Sequence, residues 1–334
     1  MGLYIGFLDF LAGNFRLKGV GDMKSMLSKL QKALKARGGL IPFFVYRTGI
    51  EKKWDDEKYI CFRYKSVFKN ALNLKEPKLF SEKMQWLKLY NRKDEYTRMV
   101  DKYESKKLVA DLIGERYIIP SLGVWKRFDD IDFDKLPDKF VLKTTHDSGG
   151  VFICKDRSTF NIEEAKAFIS RSLARNYYSY CREWPYKNVE PRIIAEEYLE
   201  NDQVEGLHDY KVWCFNGHAE YVQYITGRIS NVTYEGFYDR NWALQSFSYH
   251  NPLMKDPIKK PEKLKELLDL AEILANGIPF SRIDFYILQN GDIKFGEITF
   301  FPMSGLEKWH PEDVDLLLGN KIVLPEQQKF VTIE

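Results

Sequence analysis

Helical periodicity marks four stretches of the chain. Apolar residues three or four positions apart predict helices over 80–92, 96–113, 161–178 and 261–277. Asn161, followed three residues later by Glu164, has the spacing of a capping box and marks the start of the third helix. Gly114 closes the second helix, because glycine readily adopts the conformations that end helices. The pattern therefore predicts amphipathic helices, each with one face in a core.

Short apolar runs lie between these helices. They predict strands over 123–125, 139–143, 151–155, 191–199, 209–215, 219–225, 281–288 and 293–300. Two pairs of strands are separated by Asn216-Gly217 and by Asn290-Gly291, and Asn-Gly between apolar runs is a strong signal for a tight hairpin. The predicted elements follow the order helices, antiparallel strands, a further helix and further antiparallel strands. This order indicates the α+β fold class.

The first 37 residues differ from the rest in charge. Residues 23–36 place apolar side chains at helical spacing with lysines between them, which predicts an amphipathic helix with a basic polar face. Residues 1–37 carry a net charge of +5, whereas the whole chain carries +3. Two interpretations stay open. The segment binds an anionic membrane surface together with the apolar opening residues, or it packs on the body of the protein.

Composition excludes several classes of protein. Hydrophobic residues make up 44% and charged residues 30% of 334 residues, which indicates a globular protein of about two domains. Lys+Arg at 51 against Asp+Glu at 48 gives no sign of nucleic-acid binding. Four cysteines without a CxxC pair indicate neither a zinc site nor a disulfide framework, as expected in a reducing cytoplasm. No apolar run is long enough to span a bilayer, and the opening residues lack the basic start of a signal peptide.

A lysine and a loop of small residues form the first candidate site. Lys143 ends an apolar strand, and residues 144–150 lead through Ser148, Gly149 and Gly150 to the next strand. A lysine on a rigid strand beside exposed N–H groups can hold an anion, and glycines let the backbone approach a phosphate closely. The sequence therefore predicts phosphate binding. The alternative is an ordinary hairpin with a surface lysine.

Acidic residues on apolar strands form the second candidate site. Asp284 and Glu297 lie on two strands joined by a tight turn, in positions expected to be half-buried. A buried carboxylate needs a cation, and Mg²⁺ takes hard oxygen ligands together with substrate phosphates. The residues predict a magnesium site, with an ion pair to Arg282 or Lys294 as the alternative.

The strand that ends in Glu196-Glu197 either offers its backbone to an adenine ring or carries solvated glutamates.

These pieces occur in one order, and together they resemble the ATP-grasp superfamily, in particular the TupA-like ATP-grasp family of teichuronopeptide and capsular polysaccharide proteins. The matching segments extend over roughly residues 75–310 and are FSEKMQWLKLYNR, VDKYESKKLV, IIPSLGVW, FDKLPDKFVLKTTHDSGG, EWPYKNVEPRIIAEEYLE, HDYKVWCFNG and FGEITFFPMSG. The resemblance implies an ATP-grasp fold, in which two α+β lobes with antiparallel sheets clasp ATP. We expect a helical N-terminal region over 1–75, a lobe with the phosphate loop over 76–198 and a lobe with the metal site over 199–334.

The resemblance also implies roles for individual residues. Those expected to bind ATP are Lys102, Lys143, Thr145, Ser148, Gly149, Gly150, Glu196, Glu197, Leu199, Asp209 and Lys211. Those expected to take part in catalysis are Lys143, Lys211, Arg228, Ser304 and Gly305, and Mg²⁺ would be held by Asp284, Glu297 and Thr299. Thr299 stands where many ATP-grasp enzymes have asparagine. This difference leaves open whether a second metal ion binds.

The implied chemistry is ATP-dependent amide formation, in which a carboxylate is phosphorylated and an amine attacks the acylphosphate. Family context implies a uronic acid of a surface polysaccharide or its precursor, joined to an amino acid or other amine. The charge balance predicts no nucleic-acid partner, and the scattered cysteines predict a cytoplasmic protein. Peripheral attachment to the inner face of the membrane through residues 1–37 is one of the two interpretations left open above. Two alternatives stay open. One is a glycosyltransferase that uses Asp130-x-Asp132 or Asp132-x-Asp134 as a DxD metal motif. The other is an ATP-grasp protein that binds without catalysing.

Overall fold

The computed structural model describes residues 45, 48–199, 209–226 and 233–326. The chain divides into two compact units, residues 1–71 and 72–334. In the described part of the first unit, a 3₁₀ turn (Ile50–Lys53) precedes helix α1 (Asp56–Phe68), which begins where the Asp55 side chain accepts a hydrogen bond from Lys58 N at 2.7 Å. The predicted helix over 23–36 and the basic segment 1–37 lie outside the described residues.

Polar side chains set the ends of several helices in the second unit. Asn161 caps α5 as predicted, accepting from Glu164 N at 3.0 Å. The single helix predicted over 161–178 is wrong at its end, because Asn176 accepts from Ser179 N at 2.9 Å and starts a new helix. Asp101 likewise separates two helices where one was predicted. The helices are α2 (Phe80–Tyr90), α3 (Glu95–Val100), α4 (Glu104–Ile113), α5 (Ile162–Leu173), α6 (Tyr177–Cys181), α7 (Leu264–Ala275) and α8 (Val314–Lys321).

The first sheet of the second unit is antiparallel and has the order β1-β4-β2-β3. Phe140 and Leu142 point from it into a core with Ala165 of α5. Because side chains alternate along a strand, Lys143 and Glu196 lie on the opposite face. The strands are β1 (Ser121–Trp125), β2 (Phe140–Thr144), β3 (Val151–Cys154) and β4 (Ile193–Glu197).

The second sheet is also antiparallel and has the order β7-β6-β5-β8-β9. The predicted hairpin between β5 and β6 forms, with Asn216 at φ 50° and Gly217 at φ 84°, as a type I′ turn requires. Phe80 of α2 and Trp213 pack in its aromatic core with ring centroids 5.8 Å apart. The strands are β5 (Asp209–Phe215), β6 (His218–Thr226), β7 (Tyr234–Asp239), β8 (Phe280–Ile287) and β9 (Ile293–Thr299).

Two antiparallel sheets with accompanying helices confirm the predicted α+β class. The strands of the first sheet lie between residues 121 and 197, and those of the second between 209 and 299. Strand β7 and helix α8 were not predicted. The division into lobes at 76–198 and 199–334 stays a prediction. Within the described residues, no helix is both long and apolar enough to cross a membrane.

Candidate active site

One buried aspartate holds the loop that joins β2 to β3, residues 144–150. The Asp147 carboxylate accepts hydrogen bonds from the hydroxyl groups of Thr144 and Ser172. A Cβ at Gly150 would lie 1.8 Å from Thr144 Oγ1, so only glycine fits at this position. The loop therefore has a shape fixed by its own side chains.

Lys102 lies between α3 and α4 and contacts this loop through both its backbone and its side chain. Its N–H donates to Thr145 O at 3.2 Å, and its ammonium group donates to Asp147 O. Ser148 and Gly149 are the exposed part of the loop. The structure thus brings together the predicted phosphate-binding residues of this region.

Glu196 joins two lysines on the outer face of the first sheet. Its Oε1 lies 2.6 Å from Lys106 Nζ, and its Oε2 pairs with Lys143 Nζ. The Glu196 side chain is only 5% exposed, and burial alone would raise its pKa, yet the two lysines outweigh burial and lower the pKa below its ordinary value. The carboxylate predicted to lie at the adenine hinge is therefore engaged by lysines.

Arg282 on β8 is the centre of the second cluster. It donates to the Asp284 carboxylate through Nε at 2.7 Å and Nη2 at 2.8 Å. Its Nη2 also lies 3.1 Å from Thr299 Oγ1 and 3.4 Å from Glu297 Oε1. The strand register explains the grouping, since Asp284 is paired with Glu297 and Arg282 with Thr299 across β8 and β9. The ion pair named as the alternative to a metal site is present for Arg282.

Lys211 on β5 extends this cluster across the sheet. It pairs with the same Asp284 carboxylate, and its Nζ lies 3.6 Å from Asp209 Oδ2. Burial would raise the pKa of Asp284, but Arg282 and Lys211 outweigh it and lower the pKa below its ordinary value. Asp284 is therefore a carboxylate stabilised in its charged form by two cations.

The residue types of this cluster suit magnesium in part. Asp284, Glu297 and Thr299 supply hard oxygen atoms, and the Glu297 side chain is 43% exposed and thus accessible. Both Asp284 oxygens, however, are already bonded to Arg282 and Lys211. Within the described residues, no group of three His, Cys, Asp or Glu side chains could hold a metal ion. A magnesium ion here would need phosphate and water for its other ligands.

Side chains of α2 hold the turn that follows β9. Met303, Ser304 and Gly305 have successive φ values of 47°, 59° and 60°, all left-handed, which is a strained arrangement for the two residues with a Cβ. Fully buried Lys88 donates to Ser304 O at 2.7 Å and Oγ at 2.6 Å. Gln85 donates to Ser304 O at 3.1 Å and Gly305 O at 3.0 Å. These contacts hold the strained conformation in place.

Glu183 completes this buried group. Its carboxylate is hydrogen-bonded by the Ser304 hydroxyl, and burial raises the pKa of Glu183 to about 7, while Lys88 and the Ser304 hydrogen bond oppose that rise. The Ser304 hydroxyl thus accepts from Lys88 and donates to Glu183. It is engaged on both sides, and the Ser304 backbone is engaged as well, because its N–H donates to Phe301 O at 2.8 Å and its carbonyl accepts from Lys88 and Gln85.

The remaining predicted residues lie at the edges of the described region. Glu197 is exposed at the end of β4, where its N–H donates to Pro120 O at 3.1 Å, and Leu199 is half-buried. Arg228 lies outside the described residues, as do 200–208. The adenine hinge and the role of Arg228 stay predictions.

The aspartates of the alternative DxD motif do not converge. Asp130 Oδ1 lies 3.0 Å from Arg127 Nη2, and Asp132 Oδ2 lies 3.0 Å from Lys135 Nζ. Asp134 pairs with Arg157. Each carboxylate lies at the surface with a basic partner of its own, which is the arrangement of solvated ion pairs rather than of a shared metal site.

Sequence reasoning missed Lys106, Lys88 and Glu183, and it named Arg282 only as an ion-pair partner. A signal existed for Arg282, because residues two apart on a strand share a face and Arg282 precedes Asp284 by two. A weaker signal existed for Lys106, which follows Lys102 by four residues, a spacing that places side chains on one helical face. Glu183 carried no local signal.

A family model described as TupA-like ATPgrasp matches residues 82–323, which include every predicted site residue. The chain belongs to the TupA-like ATP-grasp family. The match confirms the predicted family. A search of curated proteins found no match.

Solved structures similar to this TupA-like protein are distant. N5-carboxyaminoimidazole synthetase from Staphylococcus aureus is 15% identical, with a TM-score of 0.38, over 68% of this chain and 53% of the other. D-alanine–D-alanine ligase from Bacillus anthracis is 18% identical, with a TM-score of 0.35, over 67% of this chain and 59% of the other. The chain thus spans a little over half the length of these two proteins.

Proposed function

We propose that this TupA-like ATP-grasp enzyme is a ligase that uses ATP and Mg²⁺ to join an amine to a carboxylate through an acylphosphate. The observation that carries the proposal is the presence of two charged clusters, one at each of the two antiparallel sheets of the second unit. One contains Lys143 and Glu196 near the loop 144–150, and the other contains Arg282 and Asp284. Phosphoryl transfer depends on positioning and charge neutralisation, which such clusters supply.

In this proposal the first sheet binds the nucleotide. Lys102, Lys143 and the exposed Ser148-Gly149 of the loop contact phosphates, while the backbone of Glu197 and Leu199 meets the adenine ring. Asp209 lies at the start of β5, near Lys211, and this acidic and basic pair meets the ribose or a phosphate. Lysine charges in a partly buried site count for more than they do in water, because solvent screens them less.

The second sheet would hold the metal and the reacting groups. Asp284 and Glu297 would hold Mg²⁺, which when bound neutralises phosphate charge. Arg282 is fixed by Asp284 and lies 3.4 Å from Glu297, so its charge stays at the metal-binding edge of the sheet. The backbone of the Ser304-Gly305 turn would lie beside the reacting carboxylate.

The substrates are proposed from the family resemblance alone. The carboxylate is a uronic acid of a surface polysaccharide or its precursor, and the amine is an amino acid or a related compound. Residues 1–37 would hold the enzyme at an anionic membrane surface, since a basic helix and an apolar segment together bind more firmly than either alone. Co-sedimentation with anionic vesicles tests this, because a protein beginning at Gly38 should lose salt-sensitive binding.

An ADP-release screen tests the activity. Uronic acids paired with amino acids should release ADP in the presence of ATP and Mg²⁺, and the matching neutral sugars should not. Glu297→Gln should abolish release while ATP still binds weakly. Near-normal release by Glu297→Gln would place the metal elsewhere, and stabilisation by UDP-sugars instead of ATP would favour the glycosyltransferase alternative.

A further inference from the structure

Glu196 contacts two lysines, and this bears on how Lys143 can reach a phosphate. Lys143 pairs with a carboxylate that is only 5% exposed. A cation held by one buried carboxylate forms a neutral pair, and such a pair attracts an anion weakly. Since the proposed function requires Lys143 to contact a phosphate, some other cation must neutralise the charge of the Glu196 carboxylate.

Lys106 is the cation placed to neutralise the Glu196 carboxylate. The residue lies on α4 and reaches the sheet from the side, where its ammonium group donates to Ile119 O and lies 2.6 Å from Glu196 Oε1. Its side chain is 12% exposed, against 17% for Lys143. Within the described residues, Lys106 thus uses two of its N–H donors on the protein, whereas Lys143 uses one, on Glu196.

The charges of the group lead to the same conclusion. Two lysines and one glutamate carry a formal charge of +1, and the more exposed lysine is the one beside the loop 144–150. Burial lowers the pKa of Lys106, and the neighbouring charge of Lys143 lowers it further, while Glu196 opposes both effects. The two lysines therefore repel each other and share one carboxylate.

We infer that Lys106 is a positioning residue for ATP, which satisfies Glu196 so that Lys143 can donate to a phosphate oxygen. The inference rests on the proposed function, in which Lys143 contacts the nucleotide. Lys106 itself does not touch the ligand. It acts by sharing the carboxylate that would otherwise hold Lys143 in a neutral pair.

Binding of ATP with Mg²⁺, measured by isothermal titration calorimetry, tests this role in the full-length protein. Lys106→Met should weaken binding about tenfold, which corresponds to about 1.4 kcal/mol. Lys107→Met is the matched control, because Lys107 is the next residue on the helix and is exposed. It should bind ATP as the wild type does.

The double variant Lys106→Met/Glu196→Gln separates positioning from direct contact. Once the glutamate charge is also removed, Lys143 is released, and ATP affinity should return to within about threefold of wild type, or about 0.7 kcal/mol. Failure of the double variant to recover would overturn the inference, since a structural or ligand-contacting lysine would not be rescued. Lys106→Arg, which keeps the charge, should bind nearly as well as wild type.

Two further measurements keep the outcomes distinct. Thermal unfolding of each variant without nucleotide shows whether Lys106→Met is folded at the temperature of the titration, and Lys106→Gln serves in its place if it is not. Wild-type ATP affinity in Lys143→Ala would contradict the proposed function itself. Weak binding by Lys143→Ala together with unchanged binding by Lys106→Met would contradict only the role of Lys106.

Discussion

The two charged clusters of the second unit differ in the sign of their excess charge. On the first sheet, Lys106 and Lys143 face one carboxylate, that of Glu196, which leaves an excess positive charge. On the second sheet, three carboxylates, those of Asp209, Asp284 and Glu297, face two cations, those of Lys211 and Arg282, which leaves an excess negative charge. The first cluster favours an anion and the second a cation, which is the difference that the proposed magnesium–nucleotide site requires.

Removing Arg282 should break the second cluster and produce the largest change. Arg282→Met removes two charged hydrogen bonds from the buried Asp284, each worth about 1.5–3 kcal/mol in the free energy of unfolding, while Lys211 remains as its cation. Urea denaturation of the variant and of the wild type measures this loss of stability. Lys294→Met is the control, because Lys294 lies at the surface and donates to Arg116 O, so its loss should cost about 0.5 kcal/mol or less. Equal stability of the two variants would contradict the central position of Arg282.

A third buried group differs from both clusters, because it sets one cation, Lys88, against one carboxylate, Glu183. Burial raises the pKa of Glu183 from 4.5 to about 7, so between these pH values the folded protein binds a proton that the unfolded chain has released. The stability from this group is present below pH 4.5 and is lost as pH rises through 7, about 3 kcal/mol in all. Glu183→Gln should flatten this part of the pH dependence, which urea titrations at pH 5 and pH 8 would measure. A pH dependence of stability that is the same in Glu183→Gln as in the wild type would contradict this role of Glu183.

Lys143 of the first cluster and Lys102, which contacts the loop 144–150, test the proposed phosphate binding directly. Lys143→Ala and Lys102→Ala each remove a charged hydrogen-bond donor and should weaken ATP binding by about 1.5–3 kcal/mol, with the fold retained. Calorimetric titration gives the affinities and circular dichroism checks the fold. Wild-type affinity in both variants would remove the nucleotide site from this sheet.

The surface aspartates of the DxD motif should give the smallest effect. Asp132 is paired with Lys135 and its side chain is 49% exposed, and Asp130 pairs with Arg127 in a similar way. Asp130→Asn and Asp132→Asn should leave ADP release unchanged, because exposed ion pairs contribute little. Loss of turnover in either variant would return the metal site to this loop.

Local chemistry made much of the fold predictable. Asn216-Gly217 predicted its hairpin because both residues tolerate positive φ, and Asn161 predicted the start of α5 because its side chain caps the helix. The break at Asn176 was missed because the same kind of cap occurs within an unbroken apolar pattern. Strand β7 was missed because Gly236 weakens its strand propensity.

The candidate site was less predictable where its partners are distant in sequence. Lys106 of α4 and Glu196 of β4 meet only in the folded structure, and Lys88 reaches Ser304 across 216 residues. No spacing rule links such pairs. The resemblance identified residues that match the motifs of the family. The buried contacts of Glu183 depend on tertiary packing, and nothing in the local sequence predicts them.

Helix α2 obtains its partner from the far end of the chain. The N–H and hydroxyl of Ser81 donate to Asp315 of α8 at 2.8 Å and 2.6 Å, across 234 residues. A Cβ at Gly319 would lie 2.1 Å from Lys78 O, so the two segments touch backbone to backbone. Because a ribosome delivers the chain from its N-terminus, α2 is made long before α8 exists. The unit therefore completes its folding only after α8 has been made, because the contacts of Ser81 with Asp315 cannot form before then.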